Sequence, residues 1–229
     1  MSEQVKKMFA EISGKYDLMN DLLSFGIHHK WRKKAVKLSQ AKSGMKVLDC
    51  ATGTGDLAIE FKRVVGDSGE VTGTDFCAEM LEYAPPKAKS EGLEIKFEIA
   101  DVMDLQYPQN SFDIASISFG IRNVDDTLRG LSEMARVVKS GGKVVIIEFG
   151  QPKGIFSLFY KIYSKILMPL MGKIFAKARE AYSYLPQTAS EYPCRENFTA
   201  IMDRTGTLHK NRYYTLTFGI AYIYIGEKI

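Results

Sequence analysis

Apolar residues recur at helical spacing over the first forty positions of the chain. Val5, Met8 and Ile12 fall on one helical face, and the pattern is interrupted around Gly14. A second apolar series continues to Trp31, and Gly26 breaks it. We therefore predict that the chain opens with several short helices, ending near residue 40.

From Met45 onward, short β-rich runs alternate with helical stretches. The predicted strands cover residues 46–51, 70–75, 94–100, 112–119 and 143–149. The predicted helices between them cover residues 57–65, 78–84 and 126–138. Ser140-Gly141-Gly142 is expected to stop the last helix, and the apolar run after it is typical of a strand buried on both faces. This alternation predicts parallel strands joined by right-handed crossovers.

The remainder of the chain is predicted to hold a long helical segment from about 156 to 178 and two further strands. The strands, 212–217 and 220–226, are separated only by Phe218-Gly219, which predicts a terminal antiparallel hairpin. The expected fold class is α/β, with a doubly wound, mostly parallel seven-stranded sheet and a C-terminal antiparallel hairpin. In such sheets ligands bind at the carboxyl ends of the strands.

A chain of 229 residues, 45% hydrophobic, fits one large domain. We expect residues 1–229 to form that domain. Its predicted parts are an N-terminal helical cap (1–42), a cofactor-binding core (43–150), a lid or substrate helix (151–185), and a C-terminal helix with the hairpin (186–229).

Charge and cysteine content exclude several classes of function. The net charge of +4 comes from lysines and arginines that are widely spread, so nucleic acid binding is not implied. The three cysteines form no C-x-x-C pair and have no histidines at zinc-ligand spacing, so we expect neither a disulfide framework nor a metal. No secretory signal or run of about 18 apolar residues occurs, which predicts a cytoplasmic protein.

The most informative local pattern is a glycine turn between the first predicted strand and its helix. It runs from Asp49 through Ala51, Gly53 and Gly55, and its small residues let a ligand approach the backbone. Asp75 follows at the end of the next strand, twenty residues past Gly55. A carboxylate at this position can accept hydrogen bonds from both hydroxyls of a ribose. The third glycine of a dinucleotide fingerprint is missing, and the acid after Gly55 would repel a pyrophosphate. An adenosine ligand without phosphates is therefore favoured.

With these motifs the chain resembles the menaquinone and ubiquinone biosynthesis C-methyltransferases, a branch of the class I S-adenosylmethionine-dependent methyltransferases. The resemblance spans nearly the whole chain. The matching segments are YDLMNDLLSFGIH (16–28), VLDCATGTGDL (47–57), SISFGIRNV (116–124), VVKSGGKV (137–144) and YSYL (182–185). This sequence departs from the family pattern at two places. Pro85-Pro86 breaks a helix that continues in the family, and Gly206-Thr-Leu-His stands where the family usually has Gly-Phe.

The resemblance implies a Rossmann-like fold, S-adenosyl-L-methionine as cofactor and S-adenosyl-L-homocysteine as product. It places Thr54 in the loop, Asp75 on the ribose, Asp101 and Val102 around the adenine, and Ser118 near the methionine end. Asp101 could instead be a helix N-cap. The full set of expected cofactor contacts is Asp49, Ala51, Gly53, Thr54, Gly55, Asp75, Phe76, Asp101, Val102 and Ser118.

For a quinol acceptor, removal of a phenolic proton makes the ring carbon nucleophilic, so a base that titrates near neutrality is useful. His28 is our first candidate for this base or for a group that orients it, with Tyr16 and Asp17 as possible network partners. The alternative is that His28 only caps or packs. The remaining catalytic candidate is Arg122.

The substrate side is expected to contain Asn20, Arg122, Asn123 and Tyr182. Arg122 and Asn123 follow the strand that carries Ser118, so they can orient a quinol oxygen or stabilise a phenolate. The alternative for Arg122 is an ion pair with Asp125 or Glu148 that only anchors the loop.

No acidic residue occurs between Glu148 and Glu180, and lysines recur along the apolar segment between them. This segment is either a surface helix that places its lysines on anionic lipid or a lid that lines the acceptor pocket. The expected partners are a hydrophobic prenylated quinol, a membrane face bound peripherally and a second subunit in a homodimer.

The sequence leaves the acceptor open among three classes of molecule, and two other classes of function have to be weighed. The acceptor is demethylmenaquinol, a ubiquinone-precursor benzoquinol or another small hydrophobic molecule. An NAD-dependent oxidoreductase is disfavoured by the missing third glycine. A scaffold without activity would have an eroded cofactor loop, and this loop is intact.

Overall fold

The computed structural model describes residues 3–164, 170 and 179–229. Its helices are α1 (Glu3–Ile12), α2 (Tyr16–Ser24), α3 (Ile27–Ser39), α4 (Asp56–Val65), α5 (Ala78–Leu81), α6 (Ala84–Ser90), α7 (Thr127–Val137), α8 (Ile155–Ile162), α9 (Arg179–Glu191) and α10 (Glu196–Asp203). Its strands are β1 (Lys46–Cys50), β2 (Glu70–Asp75), β3 (Lys96–Ile99), β4 (Phe112–Ser118), β5 (Val138–Phe149), β6 (Leu208–Leu216) and β7 (Ala221–Lys228).

The seven strands form one sheet in the order β3-β2-β1-β4-β5-β7-β6. The first five strands pair in parallel, and β7 pairs antiparallel with both β5 and β6. The predicted doubly wound α/β fold with an antiparallel C-terminal hairpin is confirmed. The carboxyl ends of β1, β2 and β4 meet at one edge, and the glycine loop lies there.

Each face of the sheet is covered by helices. On one face α7 and α10 contribute the fully buried Leu131, Met134 and Phe198. On the other, α3 and α4 contribute Ala35 and Phe61. This two-sided cover explains why the β5 residues from 144 to 147 are all apolar and completely buried.

The predicted helix stop at Ser140-Gly141-Gly142 is wrong. Helix α7 ends at Val137, and these residues belong to β5. A Cβ on Gly142 would lie 2.6 Å from the carbonyl oxygen of Asp113 on β4, so the glycine permits a close approach of two strands. The register between β4 and β5 shifts at this point.

The single helix predicted over 78–84 is also wrong. Helix α5 ends at Leu81, and α6 begins at Ala84 with prolines in its first turn. Proline is tolerated there because the first amide groups of a helix have no partner within it. The other departure from the family pattern does not disturb the hairpin, since Leu208 starts β6 and is buried.

Helices α1 and α2 lie at the carboxyl edge of the sheet, where they precede the face-covering helix α3. Ile12, Met19 and Leu23 form a small core of their own, and Tyr163 packs against it from the segment after α8. No helix within the described ranges is long and apolar enough to cross a membrane.

Candidate functional site

The glycine loop follows β1 in a left-handed backbone conformation that begins before its first glycine. The φ angles are +46° at Ala51, +56° at Gly53 and +86° at Gly55. The Gly55 amide donates to the carbonyl of Thr52, which closes a tight turn at the start of α4. A Cβ on Gly120 would lie 2.6 Å from that of Ala51, so the turn after β4 packs directly on the loop.

Asp75 connects the loop to the end of β2. One carboxylate oxygen accepts from the Gly53 amide at 2.7 Å, and the other accepts from the Cys77 amide at 2.8 Å. Burial raises the pKa of Asp75, while these two amides oppose the shift. Each oxygen keeps a lone pair that can receive a hydroxyl group.

Two more predicted cofactor residues lie beneath the loop. Asp49 accepts from the hydroxyls of Thr52 and Ser116, and burial raises its pKa to about 6. Its contacts make it a support for the loop. The Ser118 hydroxyl, at the end of β4, is buried without a partner among the described residues.

Three more predicted cofactor contacts, among them the two adenine residues Asp101 and Val102, have different surroundings. Asp101 accepts from the Met103 amide at 2.9 Å, and no helix begins there. Val102 is buried in the core beside α7. The Phe76 ring lies under the ammonium group of Lys6, 4.9 Å from its centroid, so α1 covers this end of the site.

Helix α2 closes over the glycine loop through its first turn. The Thr54 hydroxyl donates to Asp17 at 2.6 Å, and the Lys87 ammonium group donates to the other oxygen of that carboxylate at 2.6 Å. Asp17 does not contact His28. The two residues are connected through other side chains. Lys87 pairs with both Asp17 and Asp56, and Arg32 contacts both Asp56 and His28.

The charge of Asp56 is compensated by these contacts. Its carboxylate pairs with Arg32 at 2.9 Å and with Lys87, and these cations hold its pKa below the usual value despite burial. The expectation that Asp56 would repel a pyrophosphate is therefore wrong. The case against a dinucleotide rests on the loop spacing.

A cavity of about 490 Å³ lies beside the loop, enclosed by α2, α3, α8 and the ends of β4 and β5. Its walls are mainly apolar and aromatic, with contributions from Phe9, Trp31, Phe119, Phe149, Tyr160, Tyr163 and Tyr184. Its polar lining includes four predicted residues, Tyr16, Asn20, His28 and Arg122. A cavity of this size and character fits a small hydrophobic ligand held by a few polar contacts.

Both ring nitrogens of His28 are occupied. Arg32 is a donor only and lies 2.6 Å from Nδ1, so Nδ1 accepts and Nε2 carries the proton. Nε2 then donates to Asp21 at 2.8 Å. Burial and the Arg32 charge lower the pKa of His28, which keeps the ring neutral.

Asp21, His28 and His29 come close enough together to suggest metal ligands. A metal on Nε2 of His28 would require the proton to move to Nδ1, opposite the donor group of Arg32. Two donors would then face each other at 2.6 Å. The cluster is a hydrogen-bonded one in which both imidazoles contact a single oxygen of Asp21.

Arg122 is paired with Glu148, as one of the two sequence hypotheses predicted. Arg122 lies 2.8 Å from Glu148, and both side chains are almost fully buried. The Nε group of Arg122 is buried and lacks a partner among the described residues. Arg122 also lines the cavity.

Tyr16 is half-buried in the cavity wall. Desolvation of its phenol raises its pKa, although a hydrogen bond with Asn20 acts in the opposite direction. Its phenol therefore stays protonated and can donate. Asn123 is outside the cavity lining, and its side-chain oxygen accepts from Tyr184 at 3.0 Å. Tyr182 lies in α9, but its side chain is outside the described residues.

Sequence reasoning missed Arg32, Lys87 and the aromatic walls of the cavity. Arg32 follows His28 by four residues on a helix, a spacing that could have revealed the contact. Lys87 and the aromatic residues come from distant segments, and no local pattern marks them.

Comparisons with known proteins identify the family of the chain. The family model described as the ubiE/COQ5 methyltransferase family matches residues 1–228. The ubiquinone/menaquinone biosynthesis C-methyltransferase of Bdellovibrio bacteriovorus is 56% identical over 98% of this chain and 95% of its own length. The demethylmenaquinone methyltransferase of Thermus thermophilus is 43% identical over 96% of this chain and 100% of its own length.

Solved structures share the fold at low identity. A SAM-dependent methyltransferase of Thermotoga maritima, described as a possible histamine N-methyltransferase, has a TM-score of 0.69 and 16% identity, covering 97% of this chain and 99% of its own. A SAM-dependent methyltransferase of Aquifex aeolicus has a TM-score of 0.65 and 20% identity, covering 86% and 89%. The chain belongs to the ubiE/COQ5 methyltransferase family and is an S-adenosylmethionine-dependent methyltransferase.

Proposed function

We propose that the chain methylates a ring carbon of a prenylated quinol, with demethylmenaquinol as the acceptor. The observation that carries this proposal is the aromatic cavity, whose polar groups are few and include the free N–H of Arg122 and the phenol of Tyr16. The names of the relatives support a quinone-pathway acceptor. A benzoquinol precursor of ubiquinone is the second candidate, because one of these names covers both pathways.

The loop residues fit the cofactor on two observations. The Ser118 hydroxyl is buried without a described partner, and the Asp75 carboxylate retains lone pairs after accepting two amides. We assign Asp75 to the ribose hydroxyls, Gly53 and Thr54 to the loop contact, and Ser118 to the methionine end. S-adenosylmethionine supplies an electrophilic methyl group on its sulfonium when bound.

Helix α2 and the turn after β4 form a wall shared by the cofactor loop and the acceptor cavity. Tyr16 faces the cavity, while its neighbour Asp17 bonds to Thr54 of the loop. Arg122 lines the cavity four residues after Ser118. Methyl transfer requires in-line alignment and exclusion of water, and this common wall serves both needs.

Arg122 stabilises the acceptor as a phenolate after its phenolic proton has passed to solvent. The ring hydrogen that the methyl group replaces also leaves as a proton when the aromatic ring is restored. Its Nε group can donate a charge-assisted hydrogen bond to the acceptor oxygen, while Glu148 holds the other side of the guanidinium. The protonated Tyr16 adds a second donor. Stabilising the oxyanion increases electron density on the ring carbon and so favours attack on the methyl group.

We assign His28 to positioning. Accepting a proton at Nδ1 would require Arg32 to leave, and Nε2 already donates to Asp21. His28 thus fixes Arg32, which in turn holds Asp56 at the start of α4. The chain of contacts orients the loop relative to the cavity.

The segment around α8 supports peripheral binding to a membrane. Leu158 and Ile162 are exposed and lie one helical turn apart on α8. The expected lysine-bearing helix over residues 165–169 and 171–178 lies outside the described residues. We propose that the enzyme meets its prenylated acceptor at the inner face of a membrane.

The direct test incubates the enzyme with a methyl-labelled donor and either a naphthoquinol or a benzoquinol, followed by mass spectrometry. One labelled methyl on the naphthoquinol ring is expected. Labelling of the benzoquinol alone would favour the second candidate, and labelling of neither would refute the proposed acceptor class.

The variant Arg122→Lys keeps a cation beside Glu148 but removes the Nε donor. We expect kcat to fall by roughly 10- to 1,000-fold, with S-adenosylhomocysteine affinity retained. Tyr16→Phe removes the second donor and should also lower kcat, and Tyr213→Phe, which removes a surface hydroxyl bonded to Glu196, is its matched control. Unchanged kcat in Arg122→Lys would remove Arg122 from the reaction.

A further inference from the structure

Phe25 is a large apolar side chain held in solvent at the mouth of the cavity. It is 82% exposed and lines the cavity. It occupies the left-handed position after α2, with φ of +51°, where glycine or asparagine is usual. A phenylalanine exposed at the cavity mouth, in a backbone conformation that favours glycine, is available to an apolar partner.

Other exposed apolar residues belong to the segments that enclose the same cavity. Leu158 and Ile162 flank the lining residue Tyr160 on α8, and the 74% exposed Phe218 follows the lining residue Thr217. The Trp31 indole donates to the Thr217 hydroxyl at 3.0 Å, which joins the β6–β7 turn to α3. The mouth is therefore surrounded by apolar side chains from several elements.

Helix α3 adds an exposed row of cations that begins at this mouth. Lys30, Lys33, Lys34 and Lys37 lie on its solvent side, and Lys30 also lines the cavity. None of the four forms an ion pair within the part of the chain that the structure describes. The helix contains no acidic residue.

We propose that Phe25 and the α3 lysines form a docking face for an anionic lipid bilayer. The aromatic ring inserts at the level of the headgroups, and the lysines pair with lipid phosphates. This combination fits a bilayer better than an acidic protein, because the apolar ring and Lys30 lie at the opening through which a membrane-dissolved acceptor enters, and the other lysines continue from it along α3. The use of this face rests on the proposed function, but binding can be measured without cofactor or acceptor.

The test measures partitioning of the full chain on phosphatidylcholine vesicles, with and without phosphatidylglycerol. Binding is expected only with the anionic lipid and should weaken as salt rises. The triple change Lys33→Gln, Lys34→Gln and Lys37→Gln, which leaves the cavity-lining Lys30 in place, should lower the partition coefficient about 100-fold. Phe25→Asn, which suits the left-handed backbone, should lower it about tenfold.

Two controls separate charge from folding. Arginine in place of lysine at the same three positions keeps the charge and should preserve binding. The double variant Lys89→Gln with Val64→Thr changes an exposed lysine on α6 and an exposed apolar residue on α4, away from the proposed face, and should bind like the wild type. All variants should bind S-adenosylhomocysteine like the wild type. Equal partitioning of the triple variant and the wild type would overturn the proposal. Absence of wild-type binding to anionic vesicles would also overturn it and would favour an acidic protein as the partner.

An activity measurement distinguishes failure of this inference from failure of the proposed function. With a short-tailed quinol in solution, the triple variant should match the wild type. With a long-tailed quinol in anionic vesicles, its rate should fall in proportion to binding. Vesicle binding without any quinol methylation would leave the docking face in place and refute only the acceptor.

Discussion

At the scale of single residues, the His28 imidazole shows how a hydrogen-bond environment decides the role of a residue. A histidine near a proposed acceptor suggests a base, but Arg32 occupies one nitrogen and Asp21 the other. The pKa of His28 is lowered by burial and by the neighbouring Arg32 cation, so protonation of the imidazole destabilises the folded state. This has a measurable consequence for stability.

Below neutral pH, an unfolded chain protonates His28 near pH 6.5, while the native state resists until a lower pH. The free energy of unfolding must therefore fall as pH decreases through this range. His28→Gln cannot take up the proton, so its free energy of unfolding should fall less between about pH 7.5 and about pH 5.5. Urea denaturation at the two pH values measures this.

His29→Gln is the matched control, because this neighbouring imidazole also bonds to Asp21 but is half exposed. It should retain most of the wild-type pH dependence. The interpretation of His28 would be wrong if His28→Gln and the wild type lost equal free energy over the same pH interval.

At the scale of elements, the glycine loop depends on the turn after β4. The Cβ of Ala51 would collide with any side chain at Gly120, and Ala51 already has a positive φ. We expect Gly120→Ala to lower the free energy of unfolding by about 1–3 kcal/mol and to weaken S-adenosylhomocysteine binding. The loop and the turn would be pushed apart.

The double variant Ala51→Gly with Gly120→Ala should recover much of that loss, because it removes one of the two colliding atoms and relieves the backbone at residue 51. A double-mutant cycle by urea denaturation measures the coupling. Strict additivity of the two changes would show that the loop does not depend on this contact.

At the scale of the whole molecule, the cap, the loop and the sheet are joined by contacts between distant segments. Asp17 of α2 bonds to Thr54, and Asp75 of β2 bonds to Gly53. A ligand held at the loop should therefore stabilise the entire fold.

S-adenosylhomocysteine at about 100 times its Kd should add about 2.7 kcal/mol to the free energy of unfolding, which raises Tm by roughly 5–10 °C. NAD at the same concentration should cause no shift, because the loop lacks the dinucleotide spacing. Asp75→Asn should show a smaller shift with S-adenosylhomocysteine. A shift with NAD equal to that with S-adenosylhomocysteine would contradict the assignment of the loop. Differential scanning calorimetry measures all three.

The sequence by itself determined the alternation of strands and helices, the seven strands and the central position of β5. These features follow from short-range periodicity and from the apolar character that two-sided burial demands. It also located the glycine loop and Asp75, because a tight turn and an acid at the next strand end are both local signals. It misjudged the end of the helix predicted over 78–84, where prolines begin a new helix, and the role of Ser140-Gly141-Gly142, where glycine permits the close approach of two strands.

Only the tertiary structure decided what the charged and aromatic residues do. The compensation of Asp56, the two partners of His28 and the free N–H of Arg122 depend on side chains that are distant in sequence. The same is true of the cavity, whose walls come from both ends of the chain. Periodicity fixes which face of an element is buried, but the geometry of packed elements fixes which atoms meet, and hydrogen bonds and ion pairs act only between atoms that meet.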